Sequence, residues 1–273
     1  MPELPEAETI ARALHAGLAG ATLGRVVLAR RDVVHGDPRP LPRLLQGRRV
    51  VGVRRRAKRV ILDLEPDMEL VFHLGMSGRL VLAPDGAPVE RHTHLRITVA
   101  NKRYELRFRD PRRFGGIWCF AGGDRHVGKT LGSLGPEPLE LTPAPFRRIL
   151  ERHRQIKALL LDQRAIAGLG NIYCDEALFT ARIHPLTQAD RLSRTESARL
   201  LRAIKTTLNR AIRFNGSTLV DYRQPDGTAG SFRRHHRVYQ RAGEPCRRCG
   251  TAIERIIAGG RSTFLCPTCQ PLR

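Results

Sequence analysis

Toward its C-terminal end the chain carries Cys246-x-x-Cys249 and Cys266-x-x-Cys269, two thiol pairs with sixteen residues between them. Four thiolates at this spacing close a tetrahedral structural Zn2+ site and force the intervening residues into a hairpin. No coordination position is left for water, so such a metal folds the ribbon and performs no chemistry. Two disulfides would be the alternative. The N-terminus has no basic segment followed by an apolar stretch, so no secretory signal is visible. A reducing, cytoplasmic setting is therefore expected, and thiolates on a metal fit it better than disulfides. Between the pairs, Gly259-Gly260-Arg261-Ser262-Thr263 reads as a tight turn that projects Arg261 from the ribbon tip. Cys119 and Cys174 stand alone on apolar segments and are expected as core thiols.

Charge narrows the partner. Lys and Arg number 48 against 26 Asp and Glu, a formal net charge of +22. The surplus recurs along both halves, which points to a polyanion and first of all to nucleic acid. No 18-residue apolar run and no basic amphipathic arm is present, so a membrane partner is not expected. At 273 residues the chain is long enough for two domains.

The hydrophobic period changes twice along the chain. Pro5 suits a first helical turn with Glu6 and Glu8 near its positive end, and Ile10, Leu14 and Leu18 form one stripe before Gly20. From Thr22 to Phe120 the period is two: Val60, Leu62 and Leu64, then Leu70, Phe72 and Leu74, then Leu95, Ile97 and Val99, then Tyr104, Leu106 and Phe108. Six to eight strands with short polar turns predict an antiparallel sandwich or flattened barrel. Gly132 to Pro145 reads as an interdomain connection. Short helical segments follow at 146–153 and 156–162. Ser193 and Glu196 form a capping box opening a long helix with Leu201, Ile204, Leu208 and Ala211 on one face, stopped by Asn215-Gly216. Residues 215–237, with three glycines and Arg233-Arg234-His235-His236, read as a loop over a site.

Three stretches suggest chemistry. Removal of Met1 would leave a secondary amine on Pro2, a group able to attack a sugar aldehyde carbon, with the Glu3 carboxyl next to it for proton transfer. Asp110-Pro111-Arg112-Arg113-Phe114-Gly115 and His73-Leu74-Gly75-Met76-Ser77-Gly78 are turns that can hold an apolar wedge and a guanidinium at the protein edge. Gly168-Leu169-Gly170-Asn171, with Asn171 as an N-cap, opens a helix whose N-terminus suits a phosphate, near Arg152, Arg154 and Lys157.

Taken together, Met1-Pro2-Glu3-Leu4-Pro5-Glu6, Ala57-Lys58, the 73–78 and 110–115 turns, Gly168 to Tyr173 and the four-cysteine ribbon resemble formamidopyrimidine-DNA glycosylases, bacterial enzymes that excise oxidised purines. The motifs run along the whole chain in family order. The resemblance implies an α+β fold: an N-terminal antiparallel β-sandwich catalytic domain with a leading helix (1–133), a linker (134–145), a helix–two-turns–helix DNA-binding domain with a lid loop (146–237) and a zinc ribbon (238–273) holding one structural Zn2+. It implies that Pro2 attacks the sugar C1′ and expels the damaged base through a Schiff base, with Glu3 as acid/base. Lys58 is then assigned to proton transfer in β-elimination, and Arg261 to phosphate binding and δ-elimination. His73, His92, Arg112, Arg152, Lys157 and Asn171 would bind DNA, while Met76, Arg112 and Phe114 fill the gap left by an extruded nucleotide. The implied partner is double-stranded DNA with oxidised bases or abasic sites, bound by a monomer.

Duplex extrusion of a nucleotide costs a few kcal/mol, which an inserted wedge and phosphate contacts offset. Neutralising five or six phosphates predicts a slope of roughly −5 for log K against log[salt]. Some positions depart from the family pattern: Ala57 where glycine is also familiar, Arg152 in place of lysine, and an arginine-rich 233–237. Two other readings are an endonuclease VIII-type enzyme for oxidised pyrimidines and a non-catalytic zinc-ribbon DNA-binding protein. Leu4-Pro5-Glu6 and Arg112-Arg113-Phe114 favour the purine enzyme, and intact Pro2, Glu3 and Lys58 speak against loss of catalysis.

Overall fold

The computed structural model of the chain describes residues 2–121, 131, 133–219 and 222–272; Met1, Gly132 of the expected connection and positions 220 and 221 of the expected lid are among the residues that lie outside this description. Two compact units are formed, Met1–Leu131 with Phe214–Ser231, and Gly132–Arg213 with Phe232–Arg273.

The first unit opens with helix α1 (Leu4–Leu18), which has Pro5 in its first turn and buries Leu4, Ile10, Leu14 and Leu18. Eight strands follow: β1 (Leu23–Leu28), β2 (Arg49–Arg56), β3 (Arg59–Glu65), β4 (Met68–His73), β5 (Arg79–Pro84), β6 (Thr93–Val99), β7 (Tyr104–Arg109) and β8 (Gly116–Ala121), with the short helix α2 (Leu41–Leu45) between β1 and β2. They pair antiparallel in two four-stranded sheets, ordered β1-β6-β7-β5 and β2-β3-β4-β8. The alternation in sequence is the cause: Leu62, Phe72, Leu80, Leu95, Ile97, Leu106 and Phe108 all enter one core, joined by the stripe of α1. The second sheet also buries part of its other face, through Ile61, Val71 and Phe120 with Trp118 against them. Arg55 of β2 ties α1 to this sheet by an ion pair to Glu8 at 2.8 Å. Burial works against the Glu8 charge, but bonds from Arg55 and Arg12 outweigh it and hold its pKa below the ordinary value.

Segment 214–231 was expected within the helical domain. It belongs instead with the first unit, because Tyr222 enters the sandwich core, Leu82 N–H donates to Pro225 O at 3.0 Å and Ser217 N–H donates to Glu6 at 2.7 Å.

In the second unit, α3 (Pro143–Leu150) and α5 (Asn171–Ala181) pack on the long helix α6 (Arg194–Arg213), and α4 (Ile156–Leu161) packs on α5, of which every residue but Asn171 and Thr180 is buried. The capping box forms as the spacing predicts: Ser193 N–H donates to Glu196 at 3.0 Å and Glu196 N–H to the Ser193 hydroxyl at 3.1 Å. Part of the expected linker is packed into this unit, since Gly135 N–H donates to Gln163 O at 2.8 Å and Ala167 N–H to Pro136 O at 3.1 Å. The hairpin β9 (Glu254–Ala258) and β10 (Arg261–Leu265) joins the same unit. The buried Glu176 carboxylate of α5 accepts the N–H groups of Arg237, Val238 and Tyr239 and so anchors the chain leading into the ribbon.

Candidate active site

Pro2 and Glu3 are both buried at the start of α1, Glu3 to 2 % exposure. Glu3 is the N-cap residue, and its carboxylate accepts the N–H of Glu6 while Glu6 Oε2 accepts the N–H of Glu3 at 2.8 Å. Reciprocal bonds of this kind satisfy orphan donors of the first turn and fix the direction in which the chain enters the helix. The other oxygen of Glu6 accepts Ser217 N–H at 2.7 Å. Gly216 has φ +76°, and a Cβ there would lie 2.7 Å from Glu6 Oε1, so only glycine lets the segment close on this carboxylate. Pro2 is thus buried directly before a backbone N–H that is held in place.

Lys58 lies in the β2–β3 turn, preceded by Ala57 at φ +53°. A left-handed alanine costs roughly 1–2 kcal/mol, which is the backbone consequence of lacking glycine there. His73 ends β4 opposite Arg59. Burial pushes its imidazole pKa down to about 4, with the charges of Arg59 and Lys58 adding to the effect, so it is neutral at pH 7.

The two wedge turns are packed together around one buried carboxylate. Asp110 is fully buried and accepts the Ser77 hydroxyl at 2.6 Å and Gly115 N–H at 2.8 Å. Ser77 Oγ in turn accepts Arg112 N–H at 3.2 Å. Gly75 (φ +56°) presses so closely that a Cβ would meet the Phe114 carbonyl carbon at 2.4 Å. From this rigid base Met76 and Phe114 stand exposed to 40 % and 56 %, and the Arg112 guanidinium lies over the Phe114 ring at 4.6 Å. A hairpin with Phe114 tucked into the core is therefore not what forms. His92, also exposed, lies alongside and accepts Asp110 N–H through its carbonyl at 3.0 Å.

In the second unit the four cysteine sulfurs lie within 4.8 Å of one another. The Cys249–Cys266, Cys249–Cys269 and Cys246–Cys269 separations are 3.4, 3.6 and 4.0 Å. A Zn–S bond of about 2.3 Å in a tetrahedron places sulfurs about 3.8 Å apart, so the set fits zinc and is far too open for disulfides. Arg261 is exposed beside the Gly259-Gly260 turn, and Arg152 is exposed after α3.

Comparison with known proteins agrees with this geometry. Three family descriptions match in order: the formamidopyrimidine-DNA glycosylase N-terminal domain over residues 1–117, its H2TH domain over 134–222, and a zinc finger found in FPG and IleRS over 243–272. The formamidopyrimidine-DNA glycosylase of Thermus thermophilus is 46 % identical, covering 99 % of this chain and 98 % of its own length. The chain belongs to the formamidopyrimidine-DNA glycosylase family. Two crystal structures of Lactococcus lactis Fpg, one a variant with Fapy-dG-containing DNA and one with DNA containing an abasic site, are 34 % identical with TM-scores of 0.92 and 0.91, each covering 99 % of this chain and all of that one. DNA glycosylase activity, a place in base-excision repair and one structural zinc come with membership.

For two residues that the family pattern suggested as DNA contacts, the fold gives other surroundings. Lys157 is fully buried, and its ammonium bonds Asp175 at 2.6 Å and the Thr263 hydroxyl at 2.6 Å. An ammonium consumed in this way is a strut between α4, α5 and the ribbon, and it has no open path to a phosphate. Burial pushes the Asp175 carboxyl pKa up, while Lys157 and the Phe264 N–H oppose the rise. Asn171 is the first residue of α5, with Gly170 as N-cap, and its amide donates to Ser262 O at 2.8 Å instead of capping. This bond holds the ribbon turn against the helix start. The residues that sequence reasoning passed over are Asp110, Asp175 and Glu176. Each is a carboxylate in an otherwise apolar or turn segment, a pattern that signals a buried acceptor without naming its donors.

Proposed function

We propose that this chain excises oxidised purines from duplex DNA and then cleaves the abasic strand, with the amine of Pro2 as nucleophile after Met1 is removed. The carrying observation is the burial of Pro2 and Glu3, where the Glu6 carboxylate fixes Glu3 N–H at 2.8 Å. The Pro2 nitrogen attacks the sugar C1′, the bond from C1′ to the base breaks with its electron pair leaving on the base, and the proton of the attacking N–H passes to the departing base. Glu3 gives a proton to the sugar ring oxygen, the ring opens, and C1′ is left as an iminium on Pro2. Loss of a C2′ proton then expels the 3′ phosphate (β-elimination), with Lys58 as the proton carrier. Arg261 at the ribbon tip holds phosphate and assists the second, δ, elimination. A secondary amine suits this sequence, because its iminium carries a permanent positive charge that acidifies C2′–H.

The duplex is opened by the Met76/Arg112/Phe114 set, which replaces stacking and pairing lost when the damaged nucleotide leaves the helix. His73, His92 and Arg152 contact the backbone. The exposure of Met76 and Phe114 on a base of hydrogen bonds supports this reading, since a hydrophobic pair in water is otherwise a liability. The Fpg structures in complex with Fapy-dG-containing and abasic DNA support the lesion class and the abasic intermediate.

Borohydride reduction in the presence of abasic-site duplex tests the chemistry. A covalent adduct mapped to Pro2 is expected; an adduct on an internal lysine overturns the mechanism. Release of 8-oxoguanine in preference to thymine glycol from defined duplexes tests the lesion class.

A further inference from the structure

On the outer face of the second sheet, Arg59 opposes His73, and His73 opposes Gly116. The next row of the same face is Ile61, Val71 and Trp118. Trp118 is stacked on one side by His35, with ring centroids 4.1 Å apart and planes 3° from parallel. The Arg59 guanidinium carbon lies 5.9 Å from the Trp118 ring centroid. Its Nε is buried and meets no hydrogen-bond acceptor. No carboxylate lies within ion-pair distance of Arg59 among the described residues. The neighbouring charges on the turn, Arg56 and Lys58, are of the same sign.

This arrangement works against the folded protein. A guanidinium N–H taken out of water with no acceptor is destabilising, and so is its proximity to other cations. Burial and the Arg56 charge accordingly push the Arg59 pKa below its ordinary value. Groups held in this state are explained when a ligand supplies the missing partner. The ligand should bring anionic oxygen, because the charge that acts on Arg59 is the cation Arg56 and no carboxylate pairs with it among the described residues. A phosphodiester fits, since its two non-bridging oxygens match the guanidinium fork.

We propose that Arg59 forms a phosphate subsite that grips one phosphodiester of the damaged strand, over Trp118 and beside His73. The inference rests on the functional reading above, because it takes the bound polyanion to be the duplex threaded past Lys58. Neutral His73 adds an N–H donor to the same phosphate without adding repulsion to Arg59.

The test is a methylphosphonate scan. Duplexes carrying a stable abasic analogue are made with one backbone phosphate neutralised at a time, and binding is measured for the full-length protein and for Arg59→Met, which keeps the stem against Trp118 and removes the fork. The native protein is expected to lose about tenfold at one phosphate, and Arg59→Met about tenfold overall with no further loss at that same phosphate. The salt slope should fall by about 0.9. Arg59→Lys should retain charge yet recover only part of the affinity. Thermal melting of the free protein gives the readout that a structural role would move: the melting temperature of Arg59→Met should stay level or rise. Additive losses at every phosphate, unchanged affinity, or a lowered melting temperature accompanying the affinity loss would each overturn the subsite. Borohydride trapping by the native protein is run in parallel, so failure of the Pro2 chemistry is read separately from failure of the phosphate scan.

Discussion

Glu6 and Ser217 are 211 residues apart in the chain and are joined by a 2.7 Å hydrogen bond from the Ser217 N–H to the Glu6 carboxylate. The same carboxylate holds the N–H of Glu3, next to the proposed nucleophile. One buried side chain therefore orients the reactive terminus and fastens segment 214–231 to the unit that carries it. Replacing it by alanine removes two charge-assisted bonds. Glu6→Ala should lower stability by about 3 kcal/mol and slow borohydride trapping by tenfold or more at saturating protein. Urea melts and single-turnover trapping check both parts; an unchanged trapping rate would confine Glu6 to a structural role.

Phe114 makes the opposite prediction. It is 56 % exposed, so Phe114→Ala should change stability by less than about 0.5 kcal/mol. Loss of one stacking contact of about 1–3 kcal/mol should nevertheless reduce excision from duplex DNA by roughly 10- to 100-fold. Trapping on a single-stranded abasic oligonucleotide, which needs no wedge, should be nearly unaffected. Ser77→Ala acts one step further back: it deprives buried Asp110 of a donor at 2.6 Å and should cost about 1–2 kcal/mol in stability as well as duplex activity.

Lys157 and Asp175 form a fully buried ion pair. Lys157→Met leaves a carboxylate buried without its cation and should destabilise the second unit by about 3–5 kcal/mol. Lys157→Met combined with Asp175→Leu should recover much of that loss. Because the ammonium is enclosed, the salt slope of DNA binding should be the same for the double variant and the native protein. A slope reduced by about 0.9 would instead return Lys157 to the phosphate contacts.

Histidine burial sets an acid limit. His73 and His236 have pKa values pushed down to about 4, in each case chiefly by burial. Between that value and an unfolded value of about 6.5 the unfolded chain binds more protons than the native one, so stability rises with pH there and is lost as pH falls from 6.5 toward 4. A shift of about 2.5 units is worth roughly 3 kcal/mol for each histidine. His236 packs edge-on to Phe232 and Tyr239, so His236→Phe keeps an aromatic there and should flatten its share of the slope. Comparing urea midpoints of the two proteins from pH 4 to 7 separates this effect from protonation of the cysteine thiolates, which both share.

Zinc should be present at one ion per chain by metal analysis. Its removal by a chelator should unfold the hairpin, because Cys246 and Cys266 belong to the same small apolar cluster as Phe179, Val238, Ile253 and Phe264. Loss of DNA affinity is expected with it, while α1 and the first unit keep their secondary structure.

Much of this was legible in the residues because it is local. The period-two runs at Val60–Leu64 and Leu70–Leu74 entered the sandwich core as read, since alternation assigns a face without reference to distant partners. The Ser193/Glu196 box and the Cys-x-x-Cys pairs succeed for the same reason, their partners being a few residues away. Boundaries failed where a long-range contact decided them. Segment 214–231 reads as a loop of the helical domain by position, but Tyr222 finds its apolar environment in the other unit.

The chain by itself therefore determined which elements form, which thiols share a metal, and that the surface is built for a polyanion, because period, spacing and net charge are properties of neighbouring residues and simple counts. Tertiary structure alone decided what each charged side chain faces. Lys157 and Phe114 both read as DNA contacts in the sequence and Arg59 did not, yet Lys157 is sealed against Asp175, Phe114 stands in solvent and Arg59 buries its Nε with no acceptor. Desolvation and partner geometry separate them, and both depend on atoms brought together from distant parts of the chain.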